Sequence, residues 1–137
     1  MKHRQASLLD GVPPDLTGLT CAVELQRRAA SVGFDWDQLA PVLAKIREEL
    51  AELEMEISGV GQPGGKQDEL GDLLFAVANL ARKLEIDPEQ ALRGTNRKFR
   101  RRFSMVETEL AKRGKHPEDT SLEEMDAIWE QAKGHDS

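Results

Sequence analysis

Cysteine is almost absent from this sequence. The single Cys21 cannot form a disulfide within the chain. Three histidines, His3, His116 and His135, are scattered, so they do not combine with Cys21 into the closely spaced ligand pattern of a zinc site. The sequence therefore gives no support for an internal disulfide or for bound zinc.

Aromatic residues and long apolar runs are also scarce. Aromatic residues make up only 4% of the 137 residues, whereas Leu, Ala, Glu and Arg are prominent, which favours helices over strands. No apolar run approaches the roughly 20 residues that span a bilayer, and the N-terminus has no apolar signal region. We therefore expect an all-α protein of the cytoplasm that has no membrane partner.

A basic excess is missing as well. The formal net charge is −6 at pH 7, which argues against a general affinity for nucleic acid. The length predicts one domain large enough to bury a core. We expect residues 1–16, where Gly11 and Pro13 interrupt any early helix, to form an N-terminal arm, and residues 17–134 to form a single helical domain.

Three helices are predicted from the residues at their ends. The first ends near Gly33. Asp87 followed by Pro88 predicts the start of a long helix, which stops before Gly114. Ser121 predicts the N-cap of a last helix.

Two large aromatic residues, Phe34 and Trp36, follow the first of these helices. Packing over the end of the helical bundle is the simplest interpretation of both side chains. Direct contact with a ligand is the alternative.

Two acidic pairs lie between the first helix and the long one. Glu49 and Glu52 are three residues apart, as are Glu69 and Asp72, so each pair shares one face of a helix. The glycine-rich segment at 58–65 predicts that the two helices form an antiparallel hairpin. Counting about 1.5 Å per residue back from this turn places the two pairs level with each other.

The four acids predict a metal site. No basic residue is obviously placed to neutralise them. Mg²⁺ takes oxygen ligands and is usually held by a few carboxylates together with the phosphates of a substrate. The hairpin therefore predicts a magnesium site that also receives phosphate.

The two hairpin helices differ in their apolar pattern. In the first, apolar residues repeat at three- and four-residue steps, and Glu49 lies at the edge of the stripe. The second, Leu70 to Leu84, is apolar almost all round, which predicts burial on most sides. Asn79 lies in it two turns beyond Asp72 on the same face. Because an unpaired buried amide is costly, we count Asn79 among the candidate substrate contacts.

A dense basic segment runs through the long helix. Its members are Arg93, Arg97, Lys98, Arg100, Arg101 and Arg102. Three interpretations are open: a solvated face that pairs with acids elsewhere, a nucleic-acid-binding surface, or a segment that in part holds the phosphates of the metal site. Lys98 and Arg102 are four residues apart and share a face, which suits one polyphosphate.

These segments resemble the MazG nucleoside triphosphate pyrophosphohydrolases over nearly the whole chain. The residues that carry the resemblance are Glu48-Glu49-Leu50-Ala51-Glu52, Asp68-Glu69-Leu70-Gly71-Asp72 and Asn96-Arg97-Lys98-Phe99, with Arg102, Phe103 and Trp129. The likeness is greatest to the C-terminal half of the longer, two-domain members. One departure is Asp68, which stands where the family commonly has the first residue of a Glu-Glu pair.

The resemblance implies a fold and an activity. The fold is a MazG-like, all-α helical bundle that contains the acidic hairpin and assembles as a homodimer, with a tetramer as the alternative. The activity is hydrolysis of nucleoside triphosphates to nucleoside monophosphates and pyrophosphate, in house-cleaning of the nucleotide pool. The cofactor is Mg²⁺, with Mn²⁺ as a substitute.

The resemblance also implies roles for single residues. The metal ligands that it implies are Glu49, Glu52, Glu69 and Asp72. Lys98 and Arg102 would contact the phosphates, and Trp129 would stack on the base. Glu48 is an additional acid at the site, and we expect Glu48 or Glu49 to orient or deprotonate the attacking water.

Other functions stay open at this point. A hydrolase restricted to dUTP or another modified nucleotide is a narrower alternative. A helical adaptor would use the hairpin and the basic helix to bind a partner, with the acids as surface decoration. A nucleic-acid-binding module would use the arginine run, and it predicts salt-sensitive binding to DNA or RNA without pyrophosphate release.

Overall fold

The computed structural model of the chain describes residues 6–59 and 65–135. Within these ranges the elements are five α-helices and two short 3-10 turns, and no strand occurs. The helices are α1 (Gly18–Ala30), α2 (Leu39–Ile57), α3 (Gly65–Lys83), α4 (Pro88–Lys112) and α5 (Leu122–Lys133). The all-α prediction is confirmed. A helix able to span a bilayer is not found in the described ranges.

The chain divides into two compact units, the first ending at Glu89 and the second beginning at Gln90. The predicted arm lies partly outside the described residues, because these begin at residue 6. The predicted turn between the hairpin helices also lies mostly outside them, at residues 60–64. The boundaries of an arm at 1–16 and a single domain at 17–134 stay a prediction.

Local hydrogen bonds explain where the helices begin and end. Asp87 Oδ1 accepts from the backbone N–H of Glu89 at 2.9 Å, and Ser121 Oγ accepts from that of Glu124 at 3.2 Å, so both predicted N-caps are confirmed. Just after the C-terminal end of α1, Gly33 has φ +94°. A side chain would strain this left-handed conformation, which explains the glycine at the predicted turning point.

The first unit is a layer of three helices with α3 in the middle. Helix α2 packs along one side of α3 and α1 along the other. Ala22 and Val23 of α1 form a small buried cluster with Ala78 of α3. Gly65, at the start of α3, lies against the carboxylate of Glu56 near the end of α2, so the hairpin is antiparallel as predicted.

The predicted burial of α3 on most sides is wrong for the single chain. One stripe of large side chains remains exposed, formed by Leu70, Leu74, Val77 and Leu84. The reason is the layer itself, because α1 and α2 cover α3 from two sides and leave its two faces open. On α2, Leu50 and Ile57 are exposed as well.

We call the surface formed by these six residues the apolar face. Measured around α3 from Leu70, Asp72 lies at about 200° and Asn79 at about 180°, so both lie on the opposite side of the layer. We call that side the acidic face. Glu49 is the buried polar residue of α2 and is turned toward α3. The acids therefore sit on one side of the layer and the apolar face on the other, whereas Phe75, 44% exposed and at about 140°, lies nearer the acidic face.

The connector between α1 and α2 does not pack through its aromatic side chains, contrary to the prediction. Phe34 is 82% exposed and Trp36 is 51% exposed. Asp35 instead fixes the connector, because its carboxylate accepts from Arg82 Nη2 at 2.6 Å and from Lys83 Nζ at 3.4 Å. Ion pairs to the end of α3 thus replace the expected apolar contacts.

The second unit contains most of α4, together with α5. Val106 and Leu110 of α4 are buried against Ile128 of α5, and Trp129 packs at the edge of this cluster. Because these apolar residues recur at helical spacing on each helix, the two helices share one small core.

Candidate metal centre

Three carboxylates of the first unit meet on the acidic face. Glu49 comes from α2, and Glu69 and Asp72 come from successive turns of α3; one oxygen of each lies within 4.8 Å of the other two. Glu49 is 6% exposed, whereas Asp72 faces solvent. The cluster is therefore open on one side and closed on the other.

The fourth predicted ligand, Glu52, is not part of this set of mutually close oxygens. It lies one turn after Glu49 on α2, is exposed, and contacts the carboxylate of Glu69. The convergence predicted for four acids is therefore observed for three of them, with Glu52 beside the group.

Two oxygens of the cluster are buried without a hydrogen-bond partner among the described residues. They are Oε2 of Glu49 and Oε2 of Glu69. A buried carboxylate oxygen without a partner is costly. Because three carboxylates meet here, a cation is a group that would satisfy both oxygens. An all-oxygen set of this kind suits a hard divalent ion.

A basic residue does neutralise part of the cluster, contrary to the prediction. Lys45 Nζ lies 3.0 Å from Glu49 Oε1 and 3.4 Å from Glu48 Oε1. The hydrogen bond to Glu49 is the largest cause of the raised pKa of Lys45. The signal was present in the sequence, because Lys45 precedes Glu49 by four residues and such pairs meet on a helix. Glu48 is exposed and its carboxylate is held by this ammonium group.

The crowding of carboxylates affects the pKa of Glu69. Burial first, and then the hydrogen bond with Glu52 and the negative charges of Glu52, Asp72 and Glu49, raise the pKa of Glu69 from 4.5 to about 7. A hydrogen bond between two carboxyl groups requires a proton on one of them. The metal-free cluster therefore holds a proton at a pH where an exposed glutamate would have lost it.

This shifted pKa predicts a pH-dependent stability in chelator. Unfolded Glu69 releases its proton near pH 4.5 and folded Glu69 near pH 7, so the folded state binds more protons between these values. The free energy of unfolding should therefore fall as the pH rises through this window and level off above it. Thermal melts of the wild type and Glu69→Gln at a series of pH values would measure the difference. Parallel profiles for the two proteins would contradict the shift.

Asn79 lies on the acidic face but outside the carboxylate cluster. It is two turns beyond Asp72 on α3, about 10 Å along the helix axis. Its Oδ1 accepts from Arg82 Nε at 3.0 Å. The partner that a half-buried amide requires is therefore supplied, at least for the oxygen, by a residue one turn away.

The residues predicted to contact phosphates and base lie in the second unit. Lys98 is exposed on α4. The guanidinium carbon of Arg102 lies 5.8 Å from the ring centroid of Trp129, within the range of a cation–π contact. The Trp129 ring also packs on Phe99, with centroids 5.2 Å apart. Arg102, Phe99 and Trp129 belong to one local cluster. The predicted roles of Lys98, Arg102 and Trp129 toward a substrate stay predictions.

Comparison with known protein families agrees with this site. The model of a family described as the MazG nucleotide pyrophosphohydrolase domain matches residues 38–106, about half of the chain. The matched range contains all of α2 and α3, and with them every carboxylate of the cluster.

Three relatives match almost the whole chain. The nucleoside triphosphate pyrophosphohydrolase of Escherichia coli K12 is 44% identical over 130 residues, which are 94% of this chain and 49% of that protein. The Thermotoga maritima protein named nucleoside triphosphate pyrophosphohydrolase/pyrophosphatase MazG is 40% identical over 133 residues, 97% of this chain and 51% of that protein. The uncharacterized protein YabN of Bacillus subtilis is 45% identical over 129 residues, 94% of this chain and 26% of that protein.

The chain thus spans about half the length of the first two relatives. The likeness over that half is close, and the family match is centred on the helices that carry the acids. The chain belongs to the MazG nucleotide pyrophosphohydrolase family.

Proposed function

We propose that this chain hydrolyses nucleoside triphosphates to nucleoside monophosphates and pyrophosphate with the help of Mg²⁺, for which Mn²⁺ can substitute. The observation that carries the proposal is the meeting of Glu49, Glu69 and Asp72, with one oxygen of each within 4.8 Å of the others and a buried, unpartnered Oε2 on both Glu49 and Glu69. The names of the relatives from E. coli and T. maritima support the same activity.

The donor set fits the proposed ion. Glu49, Glu69 and Asp72 offer only oxygen, and Glu52 is close enough to Glu69 to complete the set with a side-chain movement. Asp72 is exposed, so the open side of the cluster can receive the phosphates of a substrate. When bound, the ion would polarise the phosphoryl oxygens and lower the pKa of a bound water.

The remaining roles fall to side chains around the cluster. Lys45 holds the carboxylates of Glu48 and Glu49 in place. We assign Glu48, with Glu49 as the alternative, to orienting and deprotonating the water that attacks the α-phosphorus. The P–O bond to the β-phosphate breaks, and pyrophosphate leaves.

We also propose substrate contacts for three residues of the second unit. We assign Lys98 and Arg102 to the phosphates, because cations at this spacing can neutralise the charge that grows on departing pyrophosphate. Trp129 is assigned to stacking on the base. The chemistry of these side chains and the family membership support the assignments.

We also propose that the chain forms a homodimer through the apolar face. On α2 the apolar residues recur at steps of four and three, as Leu39, Leu43, Ile46, Leu50, Leu53 and Ile57. On α3 the same steps connect Leu70, Leu74, Val77, Ala81 and Leu84. Such a repeat forms the contact seam of packed helix pairs. Two antiparallel helices with exposed seams are half of a four-helix bundle, and a second copy supplies the other half.

A pyrophosphate-release assay tests the activity. We expect release from at least one common nucleoside triphosphate in Mg²⁺, partial activity in Mn²⁺, and none in chelator. A panel of common and damaged nucleotides would separate a broad hydrolase from one restricted to dUTP or a modified nucleotide. Absence of release from every nucleotide, in a protein that melts at the same temperature with and without Mg²⁺, would favour a helical adaptor instead.

A further inference from the structure

A network of three polar residues at the end of α3 fixes the orientation of the Asn79 amide. Arg82 lies between Asn79 and Asp35, and its side chain is only 12% exposed. Its Nη1 and Nη2 donate to the two carboxylate oxygens of Asp35 at 3.3 and 2.6 Å, and its Nε donates to Asn79 at 3.0 Å. The forked pair with Asp35 holds the guanidinium group in one plane.

This network determines which end of the amide is available to a ligand. A guanidinium group can only donate hydrogen bonds, so the atom that faces Arg82 must be the amide oxygen of Asn79. The amide NH₂ group then points away from Arg82. In the described part of the chain it has no acceptor, and it is not fully enclosed. Asn79 thus presents two donors and no acceptor to the acidic face.

The α1–α2 connector closes one end of the acidic face. It joins helices that lie on opposite sides of α3, so it has to cross α3. The crossing is at Arg82 and Lys83, where Lys83 Nζ also donates to the backbone oxygen of Trp36 at 2.6 Å. Measured from Leu70 around α3, Arg82 and Lys83 lie at about 120° and 220°, on either side of Asn79. On this side of α3, Asn79 therefore lies between the carboxylates and the connector, with exposed Phe75 beside it.

We propose that Asn79 is a specificity-determining residue that donates a hydrogen bond to the keto oxygen at position 4 of a pyrimidine or position 6 of a purine, and that Arg82 and Asp35 are positioning residues for it. This inference rests on the proposed function. With the phosphates at the carboxylates, Asn79 is two helix turns away, the length scale that separates the phosphates of a nucleotide from its base. A donor-only amide at that position favours uracil, thymine and guanine, and it opposes the amino groups that cytosine and adenine carry there.

The test compares kcat/KM for dUTP and dCTP. We expect the wild type to favour dUTP. Asn79→Asp keeps the size of the side chain and replaces its donors with acceptors, so the preference should shift toward dCTP on the order of tenfold or more. Because the base is remote from the reacting phosphate, the change should appear in KM, with kcat altered no more than about twofold.

Arg82→Lys tests the positioning role. It keeps the positive charge beside Asp35 but loses the planar fork, so the dUTP preference should weaken without inverting. Gln131→Glu is the matched control, since it makes the same amide-to-carboxylate change at an exposed position of α5. It should leave the ratio unchanged.

Two results would overturn the inference. One is a wild type that does not distinguish dUTP from dCTP, and the other is an Asn79→Asp protein that affects both substrates equally. Calorimetry with the α,β-methylene analogues of both nucleotides measures the same preference without turnover. A protein that binds them in the expected ratio but releases no pyrophosphate would contradict the proposed function and leave the assignment of Asn79 standing.

Discussion

Glu69→Gln should reduce pyrophosphate release by about three orders of magnitude while stabilising the metal-free protein. Glu69 supplies one of the two buried, unpartnered oxygens of the cluster. Its amide isostere cannot contribute a negative charge to a divalent cation, whose polarising effect is worth several kcal/mol of transition-state stabilisation. At about 1.4 kcal/mol for each factor of ten in rate, this loss corresponds to the expected decrease.

The Glu69→Gln substitution should lower activity but raise stability. This combination separates a catalytic role of Glu69 from a structural one. In chelator, Glu69 is surrounded by the charges of Glu49, Glu52 and Asp72, which raise its pKa together with burial. Gln removes one charge from this group, so the melting temperature above pH 7 should rise. Glu107→Gln, at an exposed position of α4, is the control and should change neither quantity. A Glu69→Gln protein with near wild-type turnover would exclude the cluster as the metal site.

Leu74→Glu should convert the proposed dimer into a monomer. Leu74 is 49% exposed at the middle of the apolar face. In a two-fold symmetric dimer each substitution places one carboxylate in the interface from each copy, and an unpaired buried charge costs several kcal/mol. Since about 1.4 kcal/mol is a factor of ten, the dissociation constant should rise at least about a thousandfold.

Sedimentation velocity measures this result directly. The wild type should sediment at twice the chain mass of 15.3 kDa, and Leu74→Glu at the chain mass. Leu122→Glu makes the same change at an exposed leucine of α5 outside the apolar face, so it should remain dimeric. If Leu74→Glu and Leu122→Glu behave alike, the apolar face is not the interface.

Much of the site followed from spacing alone. Acids three residues apart share a helix face whatever surrounds them, and a short connection forces neighbouring helices to be antiparallel. For that reason the sequence alone predicts that Glu49, Glu69 and Asp72 come together, as the structure shows. The starts of two helices can be predicted equally well from the sequence, because the caps at Asp87 and Ser121 depend on one side chain and one nearby backbone group.

Features that depend on three-dimensional neighbours were predicted less well. A helix that is apolar almost all round was expected to be buried, yet sequence does not tell whether the covering partner comes from the same chain, and Leu74 remains exposed in the single chain. The prediction that the α1–α2 connector packs through its aromatic side chains is wrong for a similar reason. Asp35 and Arg82 are 47 residues apart, so no periodic pattern in the sequence predicts their ion pair. The aromatic residues on either side of Asp35 favour packing when the sequence is considered alone.

Helix α3 contributes to both faces of its layer, and this restricts how its length can change. Leu70 and Leu74 belong to one face, and Asp72, between them in sequence, belongs to the other. One inserted residue after Asp72 would rotate everything beyond it by about 100°, turning Val77 and Leu84 away from Leu70. The shortest insertion that returns both alignments to within about 20° is seven residues, or two turns. The spacing of the middle helix should therefore tolerate substitution far better than insertion or deletion.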